Sequence, residues 1–276
     1  MKKDRTRTLW ANHLLLVMLV LFQTVPVAIL AMNSLKQTPE FGTNPLGFPE
    51  AARFENFVDA WDIGNYGTTI SNSLIYVAAT VAITLVLSGA AAYSLARLNP
   101  IGQDAIMLYL LIASAIPIWL FLVPLYQMYR VLGLLNTQIG LVALYVVFNA
   151  PFAIFLLRSF LIGLPSEFED AAKVDGATTW QTFTRIILPL SWSSFLAVGL
   201  VVGVRVWSEF QIAVIFVNDP ARYPVTTSFF SFADRYERDW GLTSAGALIT
   251  LVPALLIFLL LQRRFIEGFT QGGVKG

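Results

Sequence analysis

The chain has 276 residues, 57% of them hydrophobic and 13% charged, with a mean hydropathy of +0.68. That leaves too little polar surface to cover a soluble globule of this length, and a net charge of +1 with no basic tract interleaved by aromatics excludes nucleic acid as a partner. Cysteine is absent, which excludes disulfides, thiolate metal sites and a cysteine nucleophile.

A helix needs about 20 apolar residues to cross a bilayer, and only helices or closed barrels satisfy their backbone in lipid. The apolar runs here are continuous rather than alternating, so the prediction is an all-α integral membrane protein. The charged start MKKDRTR leads into the first run, 12–33. Ile29 and Ala31 near its end form no small-x-small cleavage site, so the run reads as a retained helix rather than a signal peptide. His13, the sole histidine, sits at its edge and can build neither a histidine metal site nor a catalytic triad. Residues 34–69 follow, with Pro39, Pro45 and Pro49 among the acids Glu40, Glu50, Glu55, Asp59 and Asp62, the composition of a solvated connection with one short helix.

The second run, 70–96, carries the small residues Ser88, Gly89, Ala90, Ala91 and Ala92. The third, 105–127, contains Pro117 and Pro124, and the fourth, 138–160, contains Pro151; each proline can break or kink its helix and free carbonyls toward a cavity. Gly199 and Gly203 form a GxxxG in the fifth run, 188–217, which permits close helix approach, and the sixth run is 244–262. Six spans are predicted. Lys and Arg number eleven on the side of both termini, at positions 2, 3, 5, 7, 97, 158, 173, 185, 263, 264 and 275, against six on the other, which places both termini in the cytoplasm.

On that topology the stretch SEFEDAAKVDGATTW, 166–180, faces the cytoplasm between spans four and five. Ser166 with Glu169 predicts a capping box and a helix beginning at Glu167, whose early acids Glu167, Glu169 and Asp170 suit the positive end of its dipole. Gly176 after Asp175 predicts a left-handed turn, and Thr178 with Gln181 predicts a second capping box, with Trp180, Phe183 and Ile187 on one face before Pro189. A surface hairpin has this shape too. The low face of Ala171 and Ala172 beside acids also fits a knob that enters a cleft on another protein.

Arg205 and Glu209 lie four apart in the fifth run, so a continuous helix would bring them together as an intramembrane pair. They are candidates for the translocation path with Trp207 as a stacking surface, or else for a structural ion pair; Trp119, Asn72 and Asn149 are further path candidates. The charges Asp234, Arg235, Glu237, Arg238 and Asp239 form a solvated face or a contact for an outside protein.

The run EFEDAAKVDGATTWQTFTRIILPLS, 167–191, resembles the EAA loop of ATP-binding-cassette (ABC) import permeases, in the form used by the maltose-type carbohydrate permeases. The matching positions are Glu169, Asp170, Ala171, Ala172, Lys173, Val174, Asp175, Gly176, Ala177, Trp180, Phe183, Leu188 and Pro189. VWSEFQIAVIF in the fifth run, LGLLNTQIGL at 132–141 and the ending FIEGFTQGGVKG also look familial, closest to the MalG-type subunit. Two departures are Asp170, where the loop's glutamate usually stands, and Ser208, where an asparagine is usual.

The resemblance implies a type I ABC importer permease fold: one transmembrane domain over 1–276, with a first helix at 12–33, a core at 70–265 and a coupling loop at 165–189. It implies a bacterial or archaeal inner-membrane protein acting with a companion permease, two ATPases that bind ATP and magnesium, and a solute-binding protein. Glu167, Glu169, Asp170, Ala171, Ala172, Asp175 and Gly176 would couple to the ATPase. This chain has no GxxxxGK[ST] loop of its own, so it is expected to hold no cofactor and to be a transport subunit rather than an enzyme. An ion-coupled secondary carrier is the rival class. It needs internal repeats and mid-membrane ionisable groups, of which Glu209 stands nearly alone. A structural or receptor-type membrane protein is a third, which leaves the acidic loop without a purpose.

Overall fold

The computed structural model describes the backbone of residues 2–236 and 239–273 and the side chains of residues 10, 12–236 and 239–262. The side chains of Lys2, Lys3, Arg5, Arg7, Glu237, Arg238, Arg263, Arg264 and Lys275, and the ending FIEGFTQGGVKG, lie outside the described side chains. The described residues fold as helices and loops, without strands.

Four helices are long and apolar enough to cross a membrane: α1 (Lys2–Asn33, apolar over Asn12–Asn33), α3 (Tyr66–Tyr93, continued by a π-helical turn over Ser94–Leu98), α6 (Gln138–Ile162) and α12 (Trp240–Gly273, apolar over Trp240–Gln262). The other two predicted spans are interrupted. Around Pro117 the third run divides into α4 (Gln103–Ala115), a 3₁₀ turn over Ile118–Leu120 and α5 (Leu122–Val131). Ile116 is extended, as the ring of a following proline requires, whereas Pro124 falls in the first turn of α5, where no N–H is needed. The fifth run is a pair, α8 (Thr179–Leu190, with a π-helical turn over Phe183–Ile187) and α9 (Trp192–Ser208), bent by 78°. If that pair counts as one span, the described residues carry five. Pro151 breaks nothing, since α6 runs through it.

The chain divides into two compact units, one of residues 1–67 and 228–253, the other of residues 68–227 and 254–276. In the first, α2 (Glu55–Ile63) and parts of α11 (Val225–Arg235) and α12 pack around Ala60, Phe232, Leu242 and Ala245. Buried Asn56 donates to the carbonyls of Ser34 and Lys36, 2.9 Å each, and the fully buried Lys36 ammonium donates to Asn44 O at 2.6 Å. The Asp239 carboxylate accepts from Thr38 and from the N–H of Leu242 at the start of α12. Asp239 is thus occupied within the fold. α1 contributes no buried residue along its apolar stretch, and His13 is exposed.

The second unit has its core on α6, where Leu141, Leu144, Tyr145, Leu157 and Leu161 meet Phe183, Ile187, Val198, Val202 and Phe216. Gly199 of the GxxxG seats α9 on α3. A Cβ added there would come 3.1 Å from Leu85 and 3.3 Å from Val81, the close approach that small residues permit.

The turn before α6 is more demanding. Asn136 takes a positive φ of 56°, Thr137 caps α6 by accepting from Gly140 N at 3.0 Å, and a Cβ on Gly140 would fall 2.2 Å from the Leu134 carbonyl oxygen. Gly140→Ala is therefore expected to destabilise the protein by about 2 kcal/mol, the scale of overpacking against backbone. Gly199→Ala, which meets only flexible side-chain ends, should cost less. Melting curves of the two purified variants check the order.

Candidate coupling and translocation sites

The acidic stretch forms α7 (Glu167–Val174), which begins at the residue predicted. Its N-terminal box does not form. Ser166 already has helical angles (φ −74°, ψ −18°) and its hydroxyl makes no capping bond; its carbonyl accepts from the N–H groups of Glu169 and Asp170 instead. The Glu169 side chain turns inward to Arg97 in the π-helical turn ending α3, with Oε1 3.6 Å from Nε and the two side chains only 11% and 12% exposed. The Arg97 guanidinium also donates to the Leu164 carbonyl, two residues before Ser166. Arg158 near the end of α6 donates to the Leu95 carbonyl at 3.1 Å and holds the same turn from another side.

With Glu169 and Ala172 buried, α7 turns outward Glu167, Phe168, Asp170, Ala171, Lys173 and Val174. Ala171 and Ala172, expected to share one smooth face, point apart, because adjacent helical residues are about 100° apart. Asp170 meets Lys173 at 3.2 Å on the exposed surface. The helix ends as predicted. Gly176 has φ +77°, its N–H reaches Lys173 O, and the N–H of Ala177 reaches Ala172 O at 2.9 Å, the paired bonds of a Schellman motif. Asp175 before it is exposed. The Thr178–Gln181 capping box is complete, with Gln181 Oε1 accepting from Thr178 N at 2.8 Å and Thr178 Oγ1 from Gln181 N at 3.3 Å. Phe183 and Ile187 of α8 are buried, the Phe183 ring lying 5.0 Å from that of Tyr93, while Trp180 stays exposed.

The six path candidates are spread over α3, the 3₁₀ turn at 118–120, α6 and the end of α9. Arg205 and Glu209 make no ion pair in the structure: α9 ends at Ser208, Glu209 is extended (ψ 130°), and the i, i+4 relation expected of a continuous helix is lost. Arg205 lies over the Phe152 ring, 3.9 Å from its centre. The Glu209 carboxylate accepts from Ile212 N at 2.7 Å, Ala213 N at 3.2 Å and the Tyr145 hydroxyl at 2.8 Å, capping the short helix α10 (Gln211–Phe216). Asn149, one turn beyond Tyr145 on α6, donates to Tyr145 O, and Asn72 on α3 donates to the carbonyls of Ala221 and Tyr223. Trp207 is buried against an apolar cavity of about 330 Å³ bordered by Val81, Leu85, Gly199, Gly203 and Ile257. Trp119, in the 3₁₀ turn after Pro117, is half exposed.

In the sequence Arg97 stands out only as an orienting charge, and Tyr145 hardly at all. Arg97 is 72 residues from Glu169, and no local pattern joins them. Tyr145 had a weak signal in its place one turn before Asn149. Among the described residues, no group of three His, Cys, Asp or Glu side chains is placed to hold a metal ion.

Long apolar helices, two interrupted apolar runs and a short acidic helix define the class. The fold is that of ABC importer permeases: a chain in the crystal structure of a bacterial ABC transporter involved in the import of the acidic polysaccharide alginate superposes with a TM-score of 0.78 at 18% identity, over 96% of this chain and 98% of that one. Residues 85–269 match the family described as binding-protein-dependent transport system inner membrane component, and the chain belongs to that family. It is 33% identical to the diacetylchitobiose uptake system permease protein NgcG of Streptomyces coelicolor, over 95% of this chain and 87% of the relative. It is 31% identical to the sulfoquinovosyl glycerol transport system permease protein SmoH of Agrobacterium fabrum, over 91% and 88%. The chain is thus a transport component of the membrane and not an enzyme.

Proposed function

We propose that this chain forms half of the translocation path for an oligosaccharide or glycoside, and that it joins the path to a cytoplasmic ATPase through α7. The near full-length similarity to permeases named for carbohydrate uptake carries the substrate class. On this reading the chain is one permease domain that crosses the membrane six times, the interrupted third and fifth runs each counting once, with both termini in the cytoplasm. Its companions are a second permease, two ATPases that hold ATP and magnesium, and the solute-binding protein from which the family takes its description.

The outward face of α7 supports the coupling role. Phe168 and Val174 are 43% and 87% exposed on a helix whose other outward residues are mostly charged, so an apolar contact flanked by charges is available to a partner. ATP binding shifts the permease only through contacts that differ between its two states, and a short rigid helix can carry such a difference. Glu167, Asp170, Ala171, Asp175 and Gly176 form or shape the outward part; Glu169 and Ala172 act from the inside.

The test is co-purification. The tagged chain should bring down an ATPase, and Phe168→Glu should reduce its recovery tenfold or more while the permease stays in the membrane. Deleting the ATPase should abolish uptake of labelled oligosaccharide. Uptake that survives the deletion and collapses when an ionophore dissipates the ion gradient would establish an ion-coupled carrier instead.

A further inference from the structure

We propose that Arg97 and Glu169 form a latch that makes α7 move with α3, so that displacement of the short helix reaches the membrane bundle instead of being taken up in the turns beside it. The inference rests on the coupling reading of α7. It assigns Glu169 a role inside the chain, as a positioning residue and not a docking contact.

Three observations carry it. First, α7 has eight residues, too few to hold a helix or an orientation alone, and of these only Glu169 and Ala172 are buried. An alanine methyl gives little grip, so the directional contact of α7 with its own chain is the carboxylate of Glu169. Second, Arg97 holds α7 from two points: its Nη2 donates to the carbonyl of Leu164, ahead of the helix, while its Nε faces Glu169 within it. A planar guanidinium can do both at once, which a lysine ammonium on a flexible stem cannot reproduce. Third, Nε of Arg97 and Oε1 of Glu169 are buried, 3.6 Å apart, and neither atom has a hydrogen-bond partner among the described residues, while the Glu169 carboxylate also meets the Tyr93 hydroxyl of α3. Buried charged atoms of opposite sign are strongly costly to separate when nothing else satisfies them. Moving α7 away from α3 would therefore leave both atoms without compensation and also take the carboxylate from the Tyr93 hydroxyl, so these contacts resist that motion while the outward face stays free for a partner.

The mechanical surroundings agree. Arg97 lies in a π-helical turn that is also tied to α6 by Arg158, and Tyr93 one turn earlier packs on Phe183 of α8. Motion delivered at Glu169 thus enters the segment where α3, α6 and α8 are joined.

The experiment uses the assembled transporter in proteoliposomes, reading ATPase recovery, ATP hydrolysis and solute uptake together. Glu169→Gln keeps the size of the side chain and removes its charge. It is expected to retain ATPase recovery and hydrolysis and to lower uptake per ATP about tenfold, and the exchange Arg97→Glu with Glu169→Arg should bring the ratio back to within about threefold of the parent. An unchanged ratio in Glu169→Gln overturns the latch. Lost ATPase recovery in that variant, not restored by the exchange, also overturns it, because Glu169 would then be a docking contact.

A second measurement avoids dependence on the charged variants. The chain has no cysteine, so Arg97→Cys with Glu169→Cys can be bridged by a short bismaleimide. Bridging should raise uptake per ATP above that of the unbridged pair; uptake blocked by the bridge would show that α7 must slide against α3 and would overturn the proposal. If the unmodified chain recovers no ATPase, it is the coupling reading that has failed.

Discussion

Glu209→Ala is expected to lower the stability of the solubilised permease by about 3 kcal/mol, with the damage centred on the junction of α9 and α10. The carboxylate accepts two backbone N–H groups and the Tyr145 hydroxyl, and Tyr145 is 2% exposed. Alanine leaves all three donors without that acceptor; loss of a helix cap costs about 1 kcal/mol and an orphaned buried hydroxyl about 1–3 kcal/mol. Tyr145→Phe should cost only about 1 kcal/mol, because it removes the donor and leaves Glu209 its two N–H partners. Combining the two should cost less than the sum, since the aromatic ring without its hydroxyl no longer needs the carboxylate. Melting curves of the two single variants and the double variant measure that coupling. A Glu209→Ala variant with unchanged melting and a raised KM for the transported solute would show that the carboxylate serves the path and not the fold.

How far the sequence predicted such details depended on whether their cause was local. The lengths of the apolar runs were enough for α1, α3, α6 and α12, because the backbone in lipid has few alternatives to a continuous helix. Pro117 announced the break in the third run. The end of α9 was not announced: Ser208–Glu209–Phe210 contains neither glycine nor proline, and the helix stops where the Glu209 carboxylate can reach the N–H groups of Ile212 and Ala213. Pairing Arg205 with Glu209 assumed a helix that the same carboxylate interrupts.

The two predicted capping boxes make the contrast sharper. Thr178 and Gln181 form theirs because a neutral, partly exposed Gln181 is held by the backbone beside it. Ser166 and Glu169 do not, because Arg97, distant in sequence, competes for the Glu169 side chain. The pattern was equally legible in both places; the competitor was not. For the proposed coupling helix, then, sequence gave its limits and its turn, while the direction in which each acid points came from tertiary structure.

Gly176→Val is expected to reduce uptake tenfold or more with the permease still inserted, and the reason can be separated from crowding. Gly176 has φ +77°, in the region where a β-branched side chain is strained by about 1–3 kcal/mol, yet a Cβ added there would meet no atom within 4 Å. Backbone conformation alone is at stake. Relaxing it to a negative φ breaks the bonds from the N–H groups of Gly176 and Ala177 to Lys173 and Ala172, and so changes the exit of the chain from α7 into the capped start of α8. Because neither the buried core nor a membrane-spanning stretch contains this turn, insertion should survive. The substitutions should rank asparagine, alanine, valine in order of increasing damage, since asparagine tolerates the left-handed region. Size predicts a different order, placing alanine nearest to glycine and asparagine with valine. Uptake rates for the three variants, normalised to permease in the membrane, decide between the two orders, and normal uptake by Gly176→Val would remove the turn from the coupling mechanism.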